Sequence, residues 1–248
     1  MTPEAHKNSD FLGSADARHL RILADYSYAE SILDKENIHD TIVIFGSARI
    51  HPTSTGKKKE LIKYYEETVS IAKTLTEWSL SISTPGNQDR LLVCTGGGPG
   101  IMEAGNKGAW LAGGRSIALN IKLPHEQYPN PFVVPGLTFT FHYFFIRKLW
   151  FMSLAKAVIV MPGGFGTVDE LFESLTLIQT KRSHKIPVVL YGTEFWKHVI
   201  NWKYLLEHEL IDESDLKLFY FSDSPEDTIE YLKKTIDLSL TDNLNIKR

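Results

Sequence analysis

Cysteine is almost absent from this chain of 248 residues: Cys94 stands alone, so no disulfide can form within it. A reducing cytoplasm is therefore the expected compartment. Long apolar runs are missing as well; none approaches the ~18 residues a membrane span requires, so no membrane association is expected. The first ten residues, MTPEAHKNSD, lack the basic-then-apolar pattern of a signal peptide. Nor is there an excess of either charge. Lys+Arg total 27 against 30 Asp+Glu, a net charge of -3, which gives no global attraction for a nucleic-acid polymer or an anionic bilayer. The nine histidines are scattered, without an HExxH pair or a Cys/His cluster at metal-ligand spacing, so no metal site is indicated. What remains is ordinary for a globular protein: 43% hydrophobic and 23% charged residues, enough for one sizeable core.

What is present is a repeated order of apolar run, glycine-rich turn and helix. Residues 1–40 read as a polar lead and a helix over roughly Ala15 to Leu33, with Leu20, Leu23 and Tyr26–Tyr28 as its apolar face; this extension reads as a surface arm or packing helix. Thr41–Phe45 is a buried-type strand followed by the small-residue turn Gly46-Ser47-Ala48-Arg49. Lys57–Lys59 begin a solvated helix face that continues through Tyr64 and Leu75, and Ser83–Asp89 reads as a loop. Leu91–Cys94 is the next strand, running into Thr95-Gly96-Gly97-Gly98-Pro99-Gly100 and a helix with Met102, Ala104 and Ala109. Arg115–Ile121 and Leu137–Phe141 are further strands, with Leu123–Gln127 and Pro129–Pro135 between them. Tyr143–Lys156 turns helical. Ala157–Val160 is a strand that opens into Met161-Pro162-Gly163-Gly164-Phe165-Gly166-Thr167 and a helix reaching Lys181. Val188–Tyr191, a helix over Phe195–Leu206 and a short strand near Leu218–Tyr220 follow. Ser224-Pro225-Glu226-Asp227 then supplies a serine cap, a first-turn proline and first-turn acids for a last helix. The tail is polar.

This alternation predicts a single α/β domain over 1–248, a Rossmann-like, mostly parallel sheet with helices on both faces. Right-handed crossovers place the carboxyl ends of the strands, and with them all three glycine turns, on one rim. Glycine lets backbone amides approach an anion, and the helix after each turn aims its positive end there. Gly46, Ser47, Gly97, Gly98, Gly100, Gly163, Gly164, Gly166 and Thr167 are the candidate phosphate-binding set, with Arg49 either in contact or a surface cation. Familiar nucleotide loops do not fit. The spacing of Gly96, Gly98 and Gly100 breaks the GxGxxG fingerprint, no acid follows near Leu119–Lys122, and Asn106 stands where a P-loop needs lysine. A redox enzyme is disfavoured on the same ground.

The runs Thr95–Ala104 (TGGGPGIMEA) and Pro162–Glu170 (PGGFGTVDE) resemble the paired GGGxxGxM and PGGxGTxxE signatures of the LONELY GUY (LOG) family, and Arg147-Lys148 between them matches its third. The resemblance covers roughly residues 41–200. It implies a Rossmann-like homodimer or higher homo-oligomer acting as a phosphoribohydrolase. Its substrates would be AMP-like nucleotides or cytokinin riboside 5′-monophosphates, cut at the N-glycosidic bond to free base and ribose 5-phosphate. By that resemblance Arg147 and Glu170 are the catalytic pair, Lys148 stands beside them, Met102 belongs to the first signature, and Gly164, Gly166 and Thr167 form the phosphate loop. The long N-terminal extension and the Phe144-Phe145-Ile146 before Arg147 are closer to longer bacterial forms than to short plant ones. The family's "lysine decarboxylase" label finds no lysine in a pyridoxal setting, so no cofactor is expected. The fold also resembles molybdenum-cofactor carriers, which leaves a non-catalytic nucleotide or cofactor binder as the alternative.

Each key residue has a plainer reading. Thr167-Val168-Asp169-Glu170 is an S/T-x-x-E capping box, so Glu170 could serve the helix start, alone or in addition. Arg147 could be an ion-paired helix residue. Its apolar neighbours imply partial burial, and a buried arginine needs an anion: Glu170, a substrate phosphate or a neighbouring subunit.

Overall fold

The computed structural model describes residues 3–83, 90–122 and 128–239. Most of the expected loop at Ser83–Asp89, all of Leu123–Gln127 and the tail from 240 lie outside them. Seven strands, β1 (Thr41–Phe45), β2 (Leu92–Thr95), β3 (Ser116–Ile121), β4 (Thr138–Phe141), β5 (Ala155–Val160), β6 (Val188–Tyr191) and β7 (Tyr220–Ser222), form one sheet in the order β4-β3-β2-β1-β5-β6-β7. Every pairing is parallel. The chain is α/β and Rossmann-like.

Nine α-helices accompany these strands among the described residues: α1 (Ser9–Gly13), α2 (Arg18–Lys35), α3 (Ile62–Ile82), α4 (Ile101–Leu111), α5 (Phe144–Leu154), α6 (Phe165–Gln179), α7 (Thr193–Val199), α8 (Trp202–Glu207) and α9 (Pro225–Thr235). They cover both sheet faces, which is why the central strands are apolar without alternation. Val43 and Phe45 of β1 join the layer packed by α2, α5 and α6, whereas Ile42 and Ile44 join that of α3, α4 and α9. Trp196 of α7 is fully buried, and its indole N–H reaches the carbonyls of Val160 (3.2 Å) and Tyr191 (3.0 Å), tying the ends of β5 and β6.

Four expectations need correction. The helix expected to reach Lys156 stops at Leu154, because Ala155–Val160 pairs along β1 and is buried throughout. Lys156 is thus a strand residue with no exposed side chain; its Nζ lies 3.3 Å from Asp40 Oδ1, while Asp40 Oδ2 holds Arg90 Nε at 2.9 Å. The helix expected over Phe195–Leu206 is two, α7 and α8, the second capped by Asn201 accepting from the Tyr204 amide. The strand expected near Leu218 begins at Tyr220, since Asp215–Lys217 forms a 3-10 turn just before it. On α2 the buried stripe is Ala29 and Leu33 with Ile22, Tyr26 and Ile32 beside them, at helical spacing; Leu20, Leu23 and Tyr28 face outward. The last helix starts as expected, Ser224 Oγ accepting the Asp227 amide with Pro225 at its first position.

Candidate active site

β1 and β5 are neighbours at the middle of the sheet, and the chain leaves them toward opposite faces: the β1 loop leads to α3, the β5 loop to α6. Such a switch point opens a crevice at the carboxyl ends of the strands. Backbone hydrogen bonds sew its walls together. The Met161 amide donates to Phe45 O (2.8 Å), the Ser47 amide to Pro162 O (3.1 Å) and the Ile101 amide to Ser47 O (3.0 Å). The turns after β1, β2 and β5 are therefore one unit. Gly100, at φ +69, packs against the β1 loop, and a Cβ there would overlap the Ser47 carbonyl. A Cβ on Gly163 would overlap Thr167 Oγ1.

The capping box predicted from Thr167 and Glu170 does not form. α6 starts three residues earlier than the pattern suggests, with Gly164 in extended conformation as its N-cap, so Thr167 and Glu170 both sit within the helix. No side chain caps this end and no acid occupies its first turn. The Thr167 amide donates to Gly164 O (3.0 Å), while those of Phe165 and Gly166, at the first positions of the helix, adjoin the crevice without an acceptor side chain.

Glu170 instead meets Arg147. Nη2 of Arg147, at the first turn of α5, lies 3.0 Å from Glu170 Oε1, the two side chains being 15% and 5% exposed. The guanidinium carbon is 5.4 Å from the ring centres of both Phe144 and Phe151, and Arg147 Nε is buried without a hydrogen-bond partner among the described residues. Burial pushes the Glu170 carboxyl above its ordinary value, against the pull of the Arg147 charge and hydrogen bond and of Lys148. Ser174 Oγ, donating to the Glu170 carbonyl (2.7 Å) and lying 3.3 Å from Met152 Sδ, further joins α6 to α5.

The crevice is a cleft of about 660 Å³. Of the residues predicted from the sequence, Gly46, Ser47, Met102, Arg147 and Glu170 line it, as do Gly163, Gly164, Gly166 and Thr167. Arg49 also lines it, with its amide bonded to Ser47 Oγ (3.1 Å). Gly97, Gly98, Gly100 and Lys148 are not among the lining residues. Gly97 and Gly98 present their carbonyls to the Asn130 amide group (3.0 and 3.1 Å), Gly100 packs on the β1 loop, and Lys148 turns outward to Asp169 (2.8 Å) and Glu173 (3.0 Å).

Sequence reasoning missed several lining residues: Asn120, Phe144, Phe151, Phe165 and Val199. Asn120 carried a usable signal, being a lone amide in the apolar run Ser116–Ile121; its Oδ1 accepts the Ile121 amide at 2.8 Å. Asn130 was missed too. Buried, it joins Asn106 Oδ1 (2.9 Å), itself bonded by Thr95 Oγ1 (2.7 Å), to the glycine turn.

Among the described residues no group of three or more His, Cys, Asp or Glu side chains is placed to hold a metal ion, and no helix is long and apolar enough to cross a membrane.

A family model described as "Possible lysine decarboxylase" matches residues 102–232, from Met102 through Arg147, Glu170 and α9. The chain belongs to that family. It is the LOG family that the paired glycine signatures resemble. The decarboxylase description implies pyridoxal phosphate, which requires a lysine amine; none of the described lining residues is a lysine, so the cleft does not fit that group. Among curated proteins, the chain is 30% identical over 117 residues to the pyrimidine/purine nucleotide 5′-monophosphate nucleosidase of Escherichia coli K12, and equally to that of strain O157:H7. Each match takes in 41% of this chain and 24% of the relative, so the chain spans about a quarter of these proteins' length. Two solved structures share the fold. TM1055, a structural-genomics target, has a TM-score of 0.55 at 20% identity, over 79% of this chain and 99% of its own. The Moco carrier protein of Chlamydomonas reinhardtii has a TM-score of 0.50 at 19% identity, over 79% and 96%.

Proposed function

We propose that the cleft binds nucleoside 5′-monophosphates and hydrolyses their N-glycosidic bond, releasing a free base and ribose 5-phosphate. The Arg147–Glu170 pair carries this reading: a carboxylate and a cation line one cleft together with the glycine turn that opens α6. In this scheme the phosphate rests on the leading amides of α6 with Ser47 and Arg49 nearby, and the ribose lies against Glu170. Water adds to the anomeric carbon while the base departs with the bonding electrons and takes up a proton. Positive charge grows on the sugar, which an ionised Glu170 stabilises directly or by activating the water. Arg147 stays protonated at neutral pH, so it acts through charge, holding Glu170 and opposing negative charge on the departing base.

The substrate class includes AMP-like nucleotides and cytokinin riboside 5′-monophosphates, and the nucleosidase name of the E. coli relatives supports the reaction. A homodimer or higher homo-oligomer belongs to the same proposal. Phe144, Phe145 and Phe165 are 51%, 50% and 95% exposed at or beside the cleft, and a second copy over them would keep water out. Incubation with a panel of nucleoside monophosphates, followed by chromatography for free base, tests the reaction. Tight binding without any free base would instead make the protein a nucleotide binder.

A further inference from the structure

The amino end of α5 draws on another helix for its hydrogen bonds. Its N-cap, Tyr143, supplies no side-chain hydrogen bond. The chain turns here from β4 into the helix that carries Arg147, with the amides of His142 and Tyr143 at the turn. Both donate to one carboxylate oxygen, Asp25 Oδ2, at 2.8 and 3.0 Å. Asp25 belongs to α2, more than a hundred residues earlier, in the N-terminal extension. The same helix stacks Tyr26 on Trp150 of α5, ring centres 5.2 Å apart.

We propose that Asp25 is a positioning residue for Arg147, and that α2 serves the active site as a cap supplied from a distance. The path is short. Asp25 holds the Tyr143 amide; the Tyr143 carbonyl accepts the Arg147 amide at 3.3 Å, closing the first helical turn. Within that turn stands Phe144, one of the two rings that flank the guanidinium. A carboxylate at this end also offsets the unfavourable placing of an arginine near the positive pole of its own helix. Without Asp25 the turn is left to fray, and both Phe144 and Arg147 move with it. This rests on the reading that Arg147 acts in the cleft, but the cap itself is independent of that reading.

The test compares Asp25→Ala with Asp25→Asn in the full chain, by AMP hydrolysis and by hydrogen exchange of the backbone amides over residues 142–147. Ala29 and Leu33 still anchor α2 in both variants. In Asp25→Ala, exchange should quicken at these amides, and kcat should fall about 10- to 100-fold as Arg147 loses its set position, with KM nearly unchanged. Asp25→Asn keeps an acceptor oxygen and should restore most of both. Unchanged exchange in the alanine variant overturns the cap, whether or not the protein hydrolyses AMP. Faster exchange with wild-type kcat, or an asparagine variant as slow as alanine, overturns the link to Arg147. If the wild type releases no base, the proposed reaction falls, while the exchange result still decides the role of Asp25.

Discussion

Arg147 and Glu170 face each other at 3.0 Å from adjoining helices, and Lys148, the very next residue, pairs outward with Asp169 and Glu173. Two consecutive cations thus grip α6 on either side of its edge, one in the cleft and one at the surface. The carboxylate of the inner pair is far more buried than those of the outer one, so the inner pair has the stronger electrostatic consequences.

Glu170→Gln should abolish most turnover, by about 100-fold or more in kcat, without loss of fold. The stability sign follows from the raised carboxyl. A Glu whose folded pKa exceeds its unfolded value stabilises the fold below the unfolded value, and that contribution is lost as pH rises through the folded one. At neutral pH a neutral glutamine, still able to accept from Arg147, should leave the melting temperature equal or higher. Base release and thermal unfolding at pH 7 check both halves.

The ionised carboxylate also shapes the pH profile. The acidic limb of kcat/KM should break above the ordinary glutamate value of about 4.3. Arg147→Met removes a cation that now pulls this carboxyl down, so the limb should shift to still higher pH while the maximum rate falls. An unmoved limb in Arg147→Met would separate Glu170 from the rate.

Phosphate recognition can be read in two ways. AMP should exceed adenosine in kcat/KM by about 100-fold or more, because binding energy at the phosphate helps organise the reacting end. Gly163→Ala should raise KM for AMP, since its Cβ would displace Thr167 from the mouth of α6. Comparable rates for nucleoside and nucleotide would argue against this placement of the phosphate.

At the other end of the sheet, Asp40→Ala breaks a pair whose lysine is fully buried. Chemical denaturation should show a loss of about 3–5 kcal/mol. Substrate KM should stay at its wild-type value, since Asp40 lies at the amino end of β1, away from the cleft.

How far the sequence could be read depended on how far each contact reached. β1 and β6 match residue for residue, because strands buried on both faces are short apolar runs between turn residues. The glycine turns were legible for the same local reason. Lys156 misled: a lysine reads as solvated helix, whereas this one is buried in a strand near Asp40. Thr167 and Glu170 have true capping spacing, yet Gly164 can begin the helix unaided, which frees Glu170 for a partner 23 residues away. The Asp25 cap bridges 117 and 118 residues and leaves no local trace.

Because Gly100 has no side chain where it meets the Ser47 carbonyl, and Ser47 is bonded in turn to Pro162, the three rim turns cannot be edited independently. An engineer who lengthens one, or grafts a single turn from a relative to alter substrate choice, breaks the seam to the other two. Redesigning this cleft therefore calls for transplanting the three segments together, or for leaving them intact and changing only the side chains at Asn120 and Phe165.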